Sequence, residues 1–182
     1  QKEIGAKYDG GSFGAGIAFF STSKPSAYLQ GNTYGSFGEQ RNRGMELSVF
    51  GEPVKGLRLL GGLTLLDAEQ RRSVVTANNG KQVIGVARHQ FNFGAEWDVP
   101  GANGLALNAR VINTGKQDAD AANTQVRPSG TRLDIGARYL VDLGNNRLRT
   151  LRGRIDNVLN KSYWASAGGY PGSNYLVLGQ PR

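Results

Sequence analysis

The residues able to do chemistry are few, and their spacing brings none of them into a catalytic set. The 182 residues hold one histidine, His89, no cysteine, and 14 Asp and Glu against 22 Lys and Arg. A lone histidine is half of a nucleophile–base pair, and no serine or aspartate stands in a motif with it, so no catalytic residue is predicted. His89 reads as a solvated residue at a strand start. Without cysteine there is no thiolate site or disulfide frame, and one histidine makes a poor metal set. Asp118 and Asp120, flanking Ala119, could touch a cation but fit a solvated loop better, so no metal site and no cofactor are predicted. The run GGSFGAG at Gly10–Gly16 looks like a phosphate loop, but it lacks the lysine and the helical pattern. Its glycines alternate with Phe13, Ala15 and Ile17, as in a strand. Basic residues are scattered singly, which argues against a nucleic-acid partner. What remains is a set of charges at alternating positions (Asp134, Arg138, Arg152, Arg154 and Asp156) and a set of aromatics in polar stretches (Tyr28, Tyr34, Phe37, Tyr163, Trp164, Tyr170 and Tyr175). The charges suit a cross-strand ion-pair network on neighbouring strands.

The elements that must carry these residues are strands. Period-two alternation recurs throughout, and the chain divides into about eight of them: Glu3–Tyr8, Gly11–Phe20, Gly44–Phe50, Leu57–Asp67, His89–Val99, Leu105–Ile112, Thr131–Leu140 and Arg149–Asn157. In His89–Val99, Phe91, Phe93, Ala95 and Trp97 point one way and Gln90, Asn92, Gly94 and Glu96 the other. Connections alternate in length. Short turns at Asp9–Gly11, Glu52–Gly56, Pro100–Gly104 and Asp142–Asn146 alternate with long polar segments at Thr22–Phe37, Gln70–Arg88, Gly115–Gly130 and from Leu159 onward. That rhythm, with strands of about ten residues, is that of an outer-membrane barrel with tight periplasmic turns and long extracellular loops. The hydrophobic content of 38% and mean hydropathy of −0.41 do not conflict with this, because such strands are apolar on one face only. No apolar run is long enough for a membrane helix. Gln1-Lys2-Glu3-Ile4 already reads as strand, with no leader before it. Eight strands with two free edges cannot stand alone in lipid, so the fold class predicted is all-β, an antiparallel transmembrane β-barrel fragment of a larger barrel.

Ordered motifs then point to a family. Gly38-Glu39, Arg43-Gly44-Met45-Glu46, the Pro53–Gly56 turn and Leu65-Leu66-Asp67-Ala68 resemble a TonB-dependent siderophore receptor. So do Asn157-Val158-Leu159-Asn160-Lys161-Ser162-Tyr163-Trp164, the Arg88–Gly94 stretch, the Asp118–Thr124 loop and Thr131–Tyr139. The resemblance implies residues 1–182 of this sequence as the C-terminal portion of a barrel of about 22 strands, with the plug domain and the final strand outside it. It implies a bacterial outer-membrane receptor that imports a ferric siderophore using TonB, with iron carried in the chelate. Its tone is that of receptors for ferrichrome, coprogen, ferrioxamine or pyoverdine. Tyr28, Tyr34, Phe37, Tyr170 and Tyr175 become substrate-contact candidates, and Tyr163 and Trp164 suit the interfacial girdle. Asp134, Arg138, Arg152, Arg154 and Asp156 become lumen-facing charges able to dock the plug. Strand glycines would relieve crowding between wall and plug. Arg71, Arg72, Lys81, Lys116 and Arg127 are expected as solvated loop charge, able to meet lipopolysaccharide or an anionic chelate. Rival readings are a passive porin, uptake of haem or cobalamin, an outer-membrane enzyme and a soluble β-sandwich.

Overall fold

The structure is a computed structural model that describes the backbone of residues 1–144, 147–170 and 173–182, and the side chains of these except 168–170, 173 and 174. Alternating β-branched, aromatic and glycine residues form strands β1 (Lys2–Asp9), β2 (Phe13–Gln30), β3 (Thr33–Val54), β4 (Leu57–Arg71), β5 (His89–Asp98) and β6 (Leu105–Thr114). Strands β7 (Gln117–Asp118), β8 (Val126–Arg127), β9 (Gly130–Asp142), β10 (Leu148–Ile155), β11 (Trp164–Tyr170) and β12 (Ser173–Leu178) follow. Eight of them form one antiparallel sheet in the order β1-β2-β3-β4-β5-β6-β9-β10, the number expected from alternation. The pairs β7-β8 and β11-β12 are separate two-stranded hairpins.

Because side chains alternate across a strand, the register decides which residues share a face. Lys7 lies opposite Gly16, which lies opposite Ser48, then Gly62, then Asn92, then Ile112, then Arg132. Arg58, Glu96, Asn108 and Gly136 form a parallel row of the same face, continued by Arg154. The opposite face carries Ile17, Leu47, Leu63, Phe91, Asn113 and Thr131 in one row and Leu59, Ala95, Ala109, Ile135 and Ile155 in another. The sheet is therefore polar on one side and apolar on the other, and among the described residues no second sheet or helix packs across either side. Its exposed area is 11991 Å², whereas a compact protein of 19.5 kDa would expose about 8,500 Å². The buried hydrophobics among the described residues are four alanines. A soluble sandwich, which must bury its inner faces, is excluded.

Two expectations are corrected. The segment Thr22–Phe37 is not a loop: β2 and β3 run on as a ladder to a two-residue turn at Gly31-Asn32. Gly31, at φ +60°, takes the first central position of that turn, which a side chain would strain. The stretch reads as loop because Ser21–Ser26 has no apolar alternation and contains Pro25. A hairpin standing in water needs none, and beyond Ser21 β2 has no β1 partner, so a proline is tolerated at that edge. The later long connections are likewise partly ordered, by β7-β8, β11-β12 and a 3₁₀ turn at Thr76–Asn78. The strand glycines also serve the wall itself. Gly14 lies opposite Phe50 and Gly44 opposite Phe20, and a Cβ would come within 2.5 Å and 2.7 Å of those rings. Each glycine makes room for the aromatic ring of the adjacent strand.

Candidate functional site

The polar face joins charges across neighbouring strands. At the short-turn end, Arg58 on β4 donates to Glu96 at 2.9 Å and to Asp98 at 2.9 Å, both on β5. Arg138 on β9 donates to the same Glu96 at 3.0 Å and to Asp98 at 3.4 Å. Strand β6 lies between them, and the residue opposite both Asp98 and Arg138 is Ala106. Its methyl is fully covered, and its small size lets the arginine reach across a whole strand. Two arginines and two carboxylates thus form a neutral clasp over four neighbouring strands.

The single ladder of Arg138, Arg152 and Arg154 with Asp134 and Asp156 does not form. Arg138 turns to β5. Arg154 pairs with Asp156 two residues on at 2.8 Å. Asp134 pairs with Arg132 at 2.8 Å and accepts the backbone N–H of Asn157 at 2.9 Å. Arg152 lies opposite Arg138 in the register and enters no ion pair among the described residues. The reason is that β9 and β10 set Arg152 opposite Arg138, like against like, so Arg138 takes its carboxylates from β5 and Arg152 is left without one.

At the long-loop end the segments between strands are tied together by buried amides. Gln82 is buried: its Nε2 donates to Asp67 at 2.6 Å, and its backbone exchanges hydrogen bonds with the Asn123 side chain at 2.7 and 3.0 Å. Gln70 donates to the carbonyls of Gln82 and Ala121 at 2.8 and 3.0 Å. Lys81 donates to Ala122 O at 2.8 Å. Asp120 caps its own loop, accepting the N–H groups of Gln125 and Thr124 at 2.7 and 2.8 Å. Those backbone bonds, from Gln125 above all, hold its carboxyl below the ordinary aspartate value. The cation reading of Asp118 and Asp120 gains no cluster among the described residues. Asn157, 1% exposed and at φ +51°, exchanges hydrogen bonds with the backbone of Lys161 and donates to Gln180 O at 3.0 Å. The sequence shows it within a quoted motif but not its task, which is to fold the chain back after β10.

Several basic residues expected as solvated are engaged. Arg71 pairs with Glu69 at 3.1 Å, and Arg72, still 71% exposed, with Glu39 at 2.6 Å; Glu69 also holds Arg41. Arg127 is 3% exposed. Its Nη2 donates to Gly115 O at 3.1 Å and its Nη1 to Trp164 O, while Nε has no acceptor. Desolvation pulls its pKa below the ordinary arginine value. No signal in the sequence separates Arg127 from its solvated neighbours, because burial here comes from the last segment folding over it.

The aromatic candidates are divided. Tyr28 and Phe37 stack tilted at 5.7 Å on the β2-β3 hairpin, and Tyr28 donates to Arg72 O at 3.3 Å. Tyr34 lies opposite Leu29, on the other face from Tyr28, and is 72% exposed. Tyr175 is 54% exposed on β12, and the Tyr170 side chain lies outside the described residues. Tyr163 departs from the girdle position expected for it. It is half-buried, its ring set against Gly179 and Gly130, with its hydroxyl 3.5 Å from an Arg132 nitrogen. His89 meets Asn113 at 3.0 Å.

An uncovered one-layer sheet, polar on one face and apolar on the other, with short turns at one end and ordered long loops at the other, is a piece of barrel wall. Residues 1–158 match the model of the TonB dependent receptor-like β-barrel, and the chain belongs to that family. It is 42% identical over its whole length to the ferrichrome receptor FcuA of Yersinia enterocolitica, of which it spans 24%. Its structure matches the ferric preacinetobactin receptor BauA of Acinetobacter baumannii with a TM-score of 0.86 at 40% identity, covering 98% of this chain and 27% of that one. The siderophore receptor PiuA of the same species matches with a TM-score of 0.81 at 26% identity, covering 98% and 26%. The chain therefore spans about a quarter of these relatives. The family is one of outer-membrane barrels, so this wall lies in the outer membrane of a Gram-negative bacterium, apolar face to lipid and polar face to the lumen.

Proposed function

We propose that this chain is part of the barrel wall of a receptor that binds a ferric siderophore outside the cell and imports it into the periplasm with TonB energy. The observation that carries the reading is the 42% identity to a ferrichrome receptor over the whole of this chain, loops included. The process is transport rather than catalysis, with iron arriving inside its chelate and no cofactor held by the protein. Residues 1–182 are the C-terminal part of the barrel domain, and a plug and a TonB-contacting segment belong to the rest of the receptor. The chelate meets the long-loop end, where Tyr28, Tyr34, Phe37, Tyr170 and Tyr175 offer aromatic surface. Lipid and lipopolysaccharide surround the apolar face. Of the lumen charges, Asp134, Arg138, Arg154 and Asp156 have partners within the wall, so Arg152 is the readiest to meet the plug. A passive porin is not favoured, since the family match is to TonB-dependent receptors.

The test is uptake of radiolabelled iron from a panel of siderophores, comparing parent cells, cells lacking this gene and cells lacking TonB. Loss for one chelate in both mutants is expected. Unchanged uptake across the panel in cells lacking the gene would overturn the reading.

A further inference from the structure

A small cavity of about 70 Å³ opens on the polar face at the long-loop end, lined among others by Ile112, Thr114, Arg127, Arg132, Tyr163 and Trp164. Thr114 lies opposite Gly130, and Ile112 opposite Arg132, which places the β6 and β9 part of this lining on the lumen side. Two guanidinium groups reach it. Arg132 spends its charge on Asp134. Arg127 has no carboxylate partner among the described residues; both of its acceptors are neutral carbonyls, and its Nε has none. Arg132 Nε is also without an acceptor. The cavity is therefore lined by one guanidinium without a carboxylate, one paired with Asp134, and an aromatic wall.

A buried arginine without a counter-charge is destabilising. A guanidinium does not escape that cost by losing its proton, because it stays charged under all ordinary conditions. An acceptor of one negative charge, small and planar enough for guanidinium N–H groups, removes the cost. At about 70 Å³ the cavity admits a carboxylate but not a whole ferric chelate. We infer that this pocket seats a carboxylate arm of the imported chelate, with Arg127 and Arg132 donating to it, so that the receptor favours carboxylate-bearing ferric siderophores over neutral ones. This rests on the receptor reading above. It adds a charge class that the identity to a ferrichrome receptor does not supply.

The experiment has two arms, both on the full-length receptor. Crystals soaked in sodium bromide should show one anomalous peak within hydrogen-bond distance of Arg127; its absence overturns the pocket. In detergent at pH 7, fluorescence titration compares ferrichrome bearing one free carboxylate with the same derivative capped as a methyl amide. The free acid should bind about tenfold tighter, a difference of about 1.4 kcal/mol. Arg127→Gln should reduce the advantage to less than about twofold. Arg127→Lys, which keeps the charge and protects folding, should retain part of it. Equal affinities for acid and amide, or equal losses for both in the variants, overturn the proposal. If neither derivative binds and no iron is imported, the receptor reading fails, and the bromide arm still judges the pocket.

Discussion

Asn157 shows how much one side chain can organise. Its backbone is left-handed at φ +51°, its N–H reaches the Asp134 carboxylate, and its amide holds both the following turn and the C-terminal segment. Asparagine tolerates this conformation better than other side-chain-bearing residues because its short amide bonds locally. Alanine would lose the amide's hydrogen bonds and strain the backbone. Asn157→Ala is expected to cost the receptor about 3 kcal/mol, and Asn157→Gly about 1 kcal/mol less, since glycine removes the strain but not the lost bonds. Urea unfolding of the receptor in phospholipid vesicles, followed by tryptophan fluorescence, measures both. Equal losses would show that the left-handed backbone costs nothing here. Ala106 is the opposite case, a residue whose smallness is its contribution, since a longer side chain would block Arg138 from Glu96 and Asp98.

At the scale of elements, the long loops are built structures rather than slack chain. The Asp118–Arg127 connection is a hairpin tip closed by Asp120, which accepts backbone N–H groups from Gln125 and Thr124. The folded carboxyl is held below its ordinary 3.8. A lowered folded pKa means that the anion's contribution is complete above the unfolded value and is lost as pH falls through the folded one. Hydrogen exchange at Thr124 and Gln125, corrected for intrinsic rates, should be steady from neutral pH to about 5 and quicken below about 4. Asp120→Asn should show faster exchange throughout and no such step. A step that survives in the variant would assign the titration to another group.

At the scale of the molecule, the sheet has two open edges, β1 and β10, both exposed along their length. Unpaired N–H and C=O groups have no water to turn to in lipid or a micelle core, so they must find other strands. The 182-residue chain by itself, refolded in detergent, should therefore self-associate. Light scattering on a sizing column should report multiples of 19.5 kDa. A stable monomer would mean that the edges close on each other or stay unpaired at little cost. The same geometry explains why this wall has almost no buried core: its stability is shared with lipid on one face and with whatever fills the lumen on the other.

The eight strands of the main sheet, their faces and the short turns were legible in the sequence by itself, because side-chain alternation and turn chemistry are local properties of the chain. From Phe91 to Trp97 the reader needs only neighbouring residues to know which way each points. The polar hairpin of β2 and β3 was not legible, since its ladder is stabilised by backbone bonds that leave no apolar pattern. Nor were the charge partners. Arg138 meets Glu96 and Asp98, 42 and 40 residues away, because the register and a small Ala106 permit it. Arg127 differs from Arg71 or Lys116 only in what folds over it. Those choices rest on contacts between distant segments, and the tertiary structure alone decided them.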